Sequence, residues 1–353
     1  MADTGTVRTG PDFRSDNTGA AHPKVLEALI AANRDTATSY GLDDWSKRVQ
    51  ERFAELFERR VRVWPVATGT SANALALAAS APSHGAIYCA DIAHVHTSET
   101  NAAGFFSGGA RLMLMPATHG RFSAETLEQT IAAAGVGLSH RSQPATVTLT
   151  QATDLGVVWT PDEVRAVSAV AKRHKLTVHM DGARLANALA RLGCTPAEIT
   201  WKAGVDILSF GMTKNGGMLC DAIVVFDETV APALNFHLRR AGQIWSKGRF
   251  ASAQLLAYVE DGLWLELARR SNALAARIDA GLRGAPGVRL AAPVEINEVF
   301  VNAAPELLDA LERDGIRYSR RARDYARFVT RCDGTEAETE QLLAAFARHA
   351  AHA

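Results

Sequence analysis

The sequence predicts an α/β protein: a large domain built on a mainly parallel sheet, then a small α+β domain at the carboxyl end. Three observations carry this. Short apolar runs (Ile87–Asp91, Thr146–Gln151, Thr177–Asp181, Ile207–Phe210, Ala222–Phe226) read as strands buried on both faces. Amphipathic helices alternate with them, such as Pro161–Lys175 with Val164, Val167 and Val170 inward. After about residue 250 this alternation stops, and a long helix leads into a shorter βαβα-like run. A chain of 353 residues also exceeds the usual single-domain size.

Taken in order, residues 1–12 are polar and read as a loose arm. Pro23 opens a helix with Val25, Leu26, Leu29 and Ile30 on one face. A second helix, Asp44 to Glu58, buries Trp45, Val49, Phe53, Leu56 and Phe57. The extended run Arg62–Val66 precedes the turn ATGTSAN and an Ala/Leu-rich helix over 72–80. Helical stretches are expected near Glu99–Gly104 and over Arg184–Leu192. One long helix is expected over Ala251–Gly281, followed by Glu298–Val301, Pro305–Asp314, Arg327–Arg331 and Glu336–His349. The resulting division is an arm (1–12), a large domain (13–250) and a small domain (251–353).

An apolar share of 47% with 22% charged residues suits a protein that buries a real core. The 38 basic and 38 acidic residues cancel, leaving no electrostatic footprint for nucleic acid or an anionic membrane. Cys89, Cys194, Cys220 and Cys332 are scattered, with no CxxC pair, and read as reduced thiols rather than a zinc site or disulfide framework. The opening MADTGTVRTGPDF has no apolar centre and does not read as a signal peptide. No run of about 18 apolar residues offers a membrane span. The expectation is a cytoplasmic protein.

Four strand-end segments hold the candidate chemistry. DILSFGMTKNGG delivers Lys214 from an apolar strand into a turn of small residues. Taken alone it reads as a solvated strand end, yet small flanks let a ligand approach the backbone. Confinement would also make the amine nucleophilic toward carbonyls. HMDGAR puts Asp181 at a strand's carboxyl end, where open α/β sheets bind ligands, although an N-capping aspartate would look the same. TGTSAN is a glycine turn opening a helix, able to offer N–H groups to a phosphate, and is neither a P-loop nor GxGxxG. DIAH ends another strand with His94. No metal-ligand spacing accompanies it.

In combination, a phosphate cradle, a planar ring, a carboxylate and an amine suit a phosphorylated aromatic aldehyde. The phosphate needs N–H and hydroxyl donors, the ring a stacking partner, the pyridine nitrogen an acid and the aldehyde a lysine. That coenzyme is pyridoxal 5′-phosphate.

With these residues in place, FRSDN, YGLDD, TGTSAN, DIAH, HMDGAR and SFGMTKNG together resemble the threonine aldolase and β-eliminating lyase family of fold-type I pyridoxal-phosphate enzymes. The likeness is greatest to its low-specificity L-threonine aldolase branch and runs from Phe13 to about Phe346. It implies an aspartate-aminotransferase-like large domain with a mainly parallel seven-stranded sheet. It further implies that Lys214 carries the coenzyme as a Schiff base and that Asp181 holds the pyridinium nitrogen. Gly69, Thr70 and Thr213 would bind the phosphate, and His94 would stack on the ring. Arg184 would reach the ring hydroxyl or the substrate carboxylate, which Ser15 and Arg327 would clamp. Tyr40 and Lys247 would come from a neighbouring subunit of a homodimer or homotetramer. The implied reaction cleaves L-threonine, L-allo-threonine or related β-hydroxy-α-amino acids to glycine and an aldehyde, with His94 or a water it holds as base. β-Elimination on the same scaffold is the alternative. The segment VHTSETNAAG after His94 departs from the family apart from Glu99, and it flanks the expected position of the β-substituent.

Overall fold

The computed structural model describes residues 10–350, so the first nine residues of the expected arm lie outside the described part. The chain enters through β1 (Asp12–Phe13), which pairs in parallel with β11 (Arg317–Ala322) far along the sequence. Phe13 lies in the small-sheet core with Tyr318 and Phe328. Its apolar ring is thus buried by carboxyl-terminal elements, although residue 13 opens the expected large domain.

The large sheet has seven strands in the order β2 (Arg62–Val66), β8 (Asp221–Val225), β7 (Ile207–Phe210), β6 (Thr177–Gly182), β5 (Gln143–Thr150), β3 (Gly85–Ala90), β4 (Arg111–Met115). β8 is antiparallel to both of its neighbours, and the other pairs are parallel. Six strands therefore end on one edge, where β8 begins. The strands are apolar throughout because both faces are covered. In β8, Ala222 and Val224 join a core with Phe53 and Phe210, while Ile223 and Val225 join another with Leu75 and Leu234. The helix Gly69–Ser80 is buried from Ala72 to Ala78, its alanines allowing close approach to the sheet. Strand β4 escaped the sequence reading because this edge strand, RLMLM, is half-exposed, so its apolar residues do not follow a buried-face pattern.

Residues expected to form one helix over 251–281 form two, Arg249–Val259 and Leu263–Leu282. They part where Asp261 (φ 53°) and Gly262 (φ 71°) turn left-handed. The first packs with the large-domain core, through Leu255 and Tyr258 among others. The second spans both cores, with Trp264 and Ala268 in the large one and Ala275, Ile278 and Leu282 in the small one. The small sheet runs β1-β11-β12-β10-β9, with β9 at Val288–Leu290, β10 at Glu298–Ala303 and β12 at Tyr325–Val329. The βαβα expectation had missed β11, where RYSRRA shows no apolar alternation. No helix among the described residues is long and apolar enough to cross a membrane.

Candidate active site

Loops after β2, β3, β5, β6 and β7, together with the start of β8, enclose a cavity of about 360 Å³. That volume lies in the range of small-ligand pockets. The strand-end rule thus converges physically: Gly69, Thr70, His94, Asp181, Arg184, Thr213 and Lys214 all line this one space.

Lys214 sits in a short 3-10 turn (Thr213–Asn215) after β7. Backbone N–H groups of Met212 and Thr213 donate to Asp221 Oδ1 at 2.8 and 3.0 Å, so the reversed strand β8 braces the lysine loop from the side. On the far flank, Asn215 Nδ2 donates to Tyr258 Oη and to the Trp264 carbonyl, both at 2.8 Å. A Cβ at Gly211 would run into the Ala183 backbone, so only glycine lets these two loops touch.

Asp181 is buried at the end of β6. Its Oδ1 accepts the Ala183 N–H at 3.0 Å and its Oδ2 accepts from Asn73 Nδ2 at 2.8 Å. The same Asn73 nitrogen donates to Glu99 Oε1 at 2.8 Å, and that oxygen lies 2.8 Å from His94 Nδ1. The bond to Glu99, against a smaller opposing effect of burial, raises the His94 pKa. Burial, with Asp181 nearby, raises that of Glu99.

At the other end, Arg184 Nε donates to Asp16 Oδ2 at 2.7 Å, and its Nη2 lies 3.2 Å from Asp16 Oδ1 and 3.3 Å from Glu298 Oε1. Burial pushes the Asp16 carboxyl up, but Arg184 and then Lys214 outweigh it, so the net shift is down. Arg327 is less committed, with Nη1 at 3.3 Å from Glu298 and Nη2 at 3.3 Å from the Arg14 carbonyl. Its Nε has no partner among the described residues. The expected reach of Arg184 to a ligand is therefore qualified: two buried carboxylates already hold it. Ser15 accepts the Asn17 N–H at 3.2 Å beside Asp16 rather than lining the cavity.

Tyr40 and Lys247 lie elsewhere. The Tyr40 N–H donates to the Ser246 carbonyl at 3.0 Å, its ring is half-exposed, and Lys247 is exposed. A single chain does not bring either to Lys214. Sequence reasoning missed Asn73, Asp154, Asp16 and Glu298. Asp154 follows β5 at the cavity and was open to the strand-end rule that picked out Asp181. Asn73, inside an apolar helix, offered no such signal.

The cavity fits pyridoxal phosphate on its own evidence. Gly69 and Thr70 head a helix whose first N–H groups have no acceptor within the helix. Asp181, with N–H donors on both oxygens, is placed for a pyridinium. Buried Asn73 Oδ1 and Glu99 Oε2 lack partners among the described residues. A lysine and a buried acid lining one cavity at the carboxyl edge of this sheet mark the fold-type I pyridoxal-phosphate class.

The chain belongs to the β-eliminating lyase family, whose profile matches residues 12–305. It is 40% identical to a low specificity L-threonine aldolase from a Pseudomonas strain, over 94% of this chain and 96% of that one. The Pseudomonas aeruginosa protein of the same description is 40% identical over 87% of this chain and 88% of its own. A Leishmania major threonine aldolase structure superposes with a TM-score of 0.89 at 26% identity, covering 96% of this chain and 99% of that one.

Proposed function

We propose that this protein is a pyridoxal-phosphate-dependent aldolase that cleaves β-hydroxy-α-amino acids, L-threonine and L-allo-threonine among them, to glycine and an aldehyde. The observation that carries the reading is the single cavity gathering Lys214, Asp181 and the Gly69–Thr70 helix start, in a chain 40% identical to an L-threonine aldolase. Bound there, the coenzyme would supply an electron sink for the pair left at the substrate's Cα.

The protein's own groups do the rest. Lys214 would offer its amine to the coenzyme aldehyde, and Asp181 would accept from the ring nitrogen. Gly69, Thr70 and Thr213 would take the phosphate, while His94, tied down by Glu99, would face the ring. Arg327 and Arg184, with Ser15 beside them, face the substrate carboxylate. A guanidinium fork there fixes the carboxylate in two places, which turns the Cα–Cβ bond to the angle at which it breaks. Tyr40 and Lys247, exposed and adjacent, suit donation to the cavity of a second subunit in a homodimer or homotetramer. The dispersed thiols, three of them buried, suit a reducing compartment and a cytoplasmic placement.

The family's description favours β-elimination as the second reading. A panel of β-hydroxy amino acids with coenzyme present separates the two: glycine plus aldehyde supports the aldolase, pyruvate plus ammonia the eliminase. Lys214→Ala should bring turnover below detection and leave no coenzyme fixed by borohydride. Full turnover in that variant would refute the mechanism.

A further inference from the structure

Asp154 lines the cavity and has no part in the scheme above. Its Oδ2 accepts the His94 backbone N–H at 3.2 Å, the one hydrogen bond it takes among the described residues, which leaves its other oxygen without a protein donor. The charges around it pull its ionisation both ways. Asp181 and Glu298 oppose its ionisation, His94 and Arg184 favour it, and the Cys89 thiol on β3 feels it from behind. Lys214, Asp221 and Glu99 are further ionisable groups around the cavity. Asp154 shares the cavity lining with His94, Asp181, Arg184 and Lys214, and its bond to the His94 backbone sets its carboxyl beside the histidine.

His94 is poorly suited to take a proton there. Its Nδ1 is committed to Glu99, a bond that shifts the imidazole toward its protonated form. Asp154 is better matched, since burial, then Asp181, pushes its carboxyl up to about 7. A proton acceptor works best with a pKa near the working pH.

We propose that Asp154 is the proton acceptor for the substrate's β-hydroxyl, a role that rests on the aldolase reading. The hydroxyl proton passes to the Asp154 carboxylate as the Cα–Cβ bond breaks. The electrons of the O–H bond form the aldehyde C=O, and the pair of the broken bond stays on Cα. Asp154 then returns its proton to solvent, and Cα takes one up. Threonine thus gives glycine and acetaldehyde with no net proton and no redox change.

The test uses coenzyme-loaded enzyme and Asp154→Asn, whose amide oxygen still accepts the His94 N–H. Threonine cleavage should fall about 10²–10⁴-fold, and the rise of kcat/KM through about pH 7 should vanish. Exchange of glycine's α-proton with deuterated water breaks no O–H bond and should stay within about threefold. Equal losses of cleavage and exchange would overturn the proposal, as would cleavage retained within about threefold. Infrared difference spectra of the two coenzyme-free proteins give a second readout. A carboxylic-acid band titrating near pH 7 should be present only with Asp154, and its absence would also overturn the assignment. A wild-type enzyme that frees no glycine from any β-hydroxy amino acid sinks the aldolase reading itself, and the proposal with it, whatever the infrared shows.

Discussion

Two polar clusters flank Lys214, and they are built on opposite plans. On one side Asn73 bridges Glu99 and Asp181 through a single nitrogen, and Glu99 in turn fixes His94, so three elements of the large domain are joined end to end. On the other side two guanidiniums share two carboxylates, Arg184 with Asp16 and both arginines with Glu298, across the junction of the two domains. The first cluster has one donor serving two acids, which fixes positions. The second is held by charge pairs, and each cluster keeps polar atoms without partners among the described residues: Asn73 Oδ1 and Glu99 Oε2 in the first, Arg327 Nε and Glu298 Oε2 in the second. The contrast teaches that a shared amide donor joins one wall and paired charges join the other, which under the proposed function would suit a ring and an anion respectively.

The sharpest way to break this comparison is Arg184→Ala. It strands the buried Asp16 carboxylate and should cost about 3–5 kcal/mol in denaturant unfolding. A loss below about 1 kcal/mol would mean that the anion-binding wall is not held by this pair. Arg327→Ala comes next. Losing one charge-assisted contact of about 1.5–3 kcal/mol should raise KM for the amino acid roughly 10–150-fold, with coenzyme affinity unchanged. Weakened coenzyme binding instead would merge the two walls into one. Asn73→Ala leaves Glu99 and Asp181 without their shared donor, at about 1–3 kcal/mol, and should alter the absorption spectrum of bound coenzyme while leaving KM nearly constant.

The smallest effect is in pH dependence, and the two sides have opposite signs. Asp16 has a lowered pKa, so its stabilisation is present above its unfolded value and fades as pH falls through the lower folded one. Asp154 has a raised pKa, so its contribution is present below its unfolded value and is lost as pH rises through about 7. Raising the coenzyme-free protein from about pH 5 to about pH 8 should therefore lower the wild-type unfolding temperature more than that of Asp154→Asn. Parallel curves would remove Asp154 from the account.

Much of this was legible in residue order. Strand-end placement sufficed for Lys214, Asp181 and His94, because a parallel sheet sends every such end to one edge. The apolar runs announced both-sided burial for the same reason. What escaped needed three dimensions. Asn73 hides in a helix of alanines and leucines, and nothing local shows that its amide meets two acids. Asp16 and Glu298 are 282 positions apart and meet only because β1 crosses to the small sheet. The helix break at Asp261–Gly262 was masked by apolar periodicity continuing on both sides.

The helix Leu263–Leu282 has a mechanical corollary. Its first turn supplies the Trp264 carbonyl that Asn215 grips, and its last turns are sunk among the strands that bear Glu298 and Arg327. A rigid rod anchored this way acts as a lever. The residue next to Lys214 and the strands bearing Glu298 and Arg327 are thus tied to one helix.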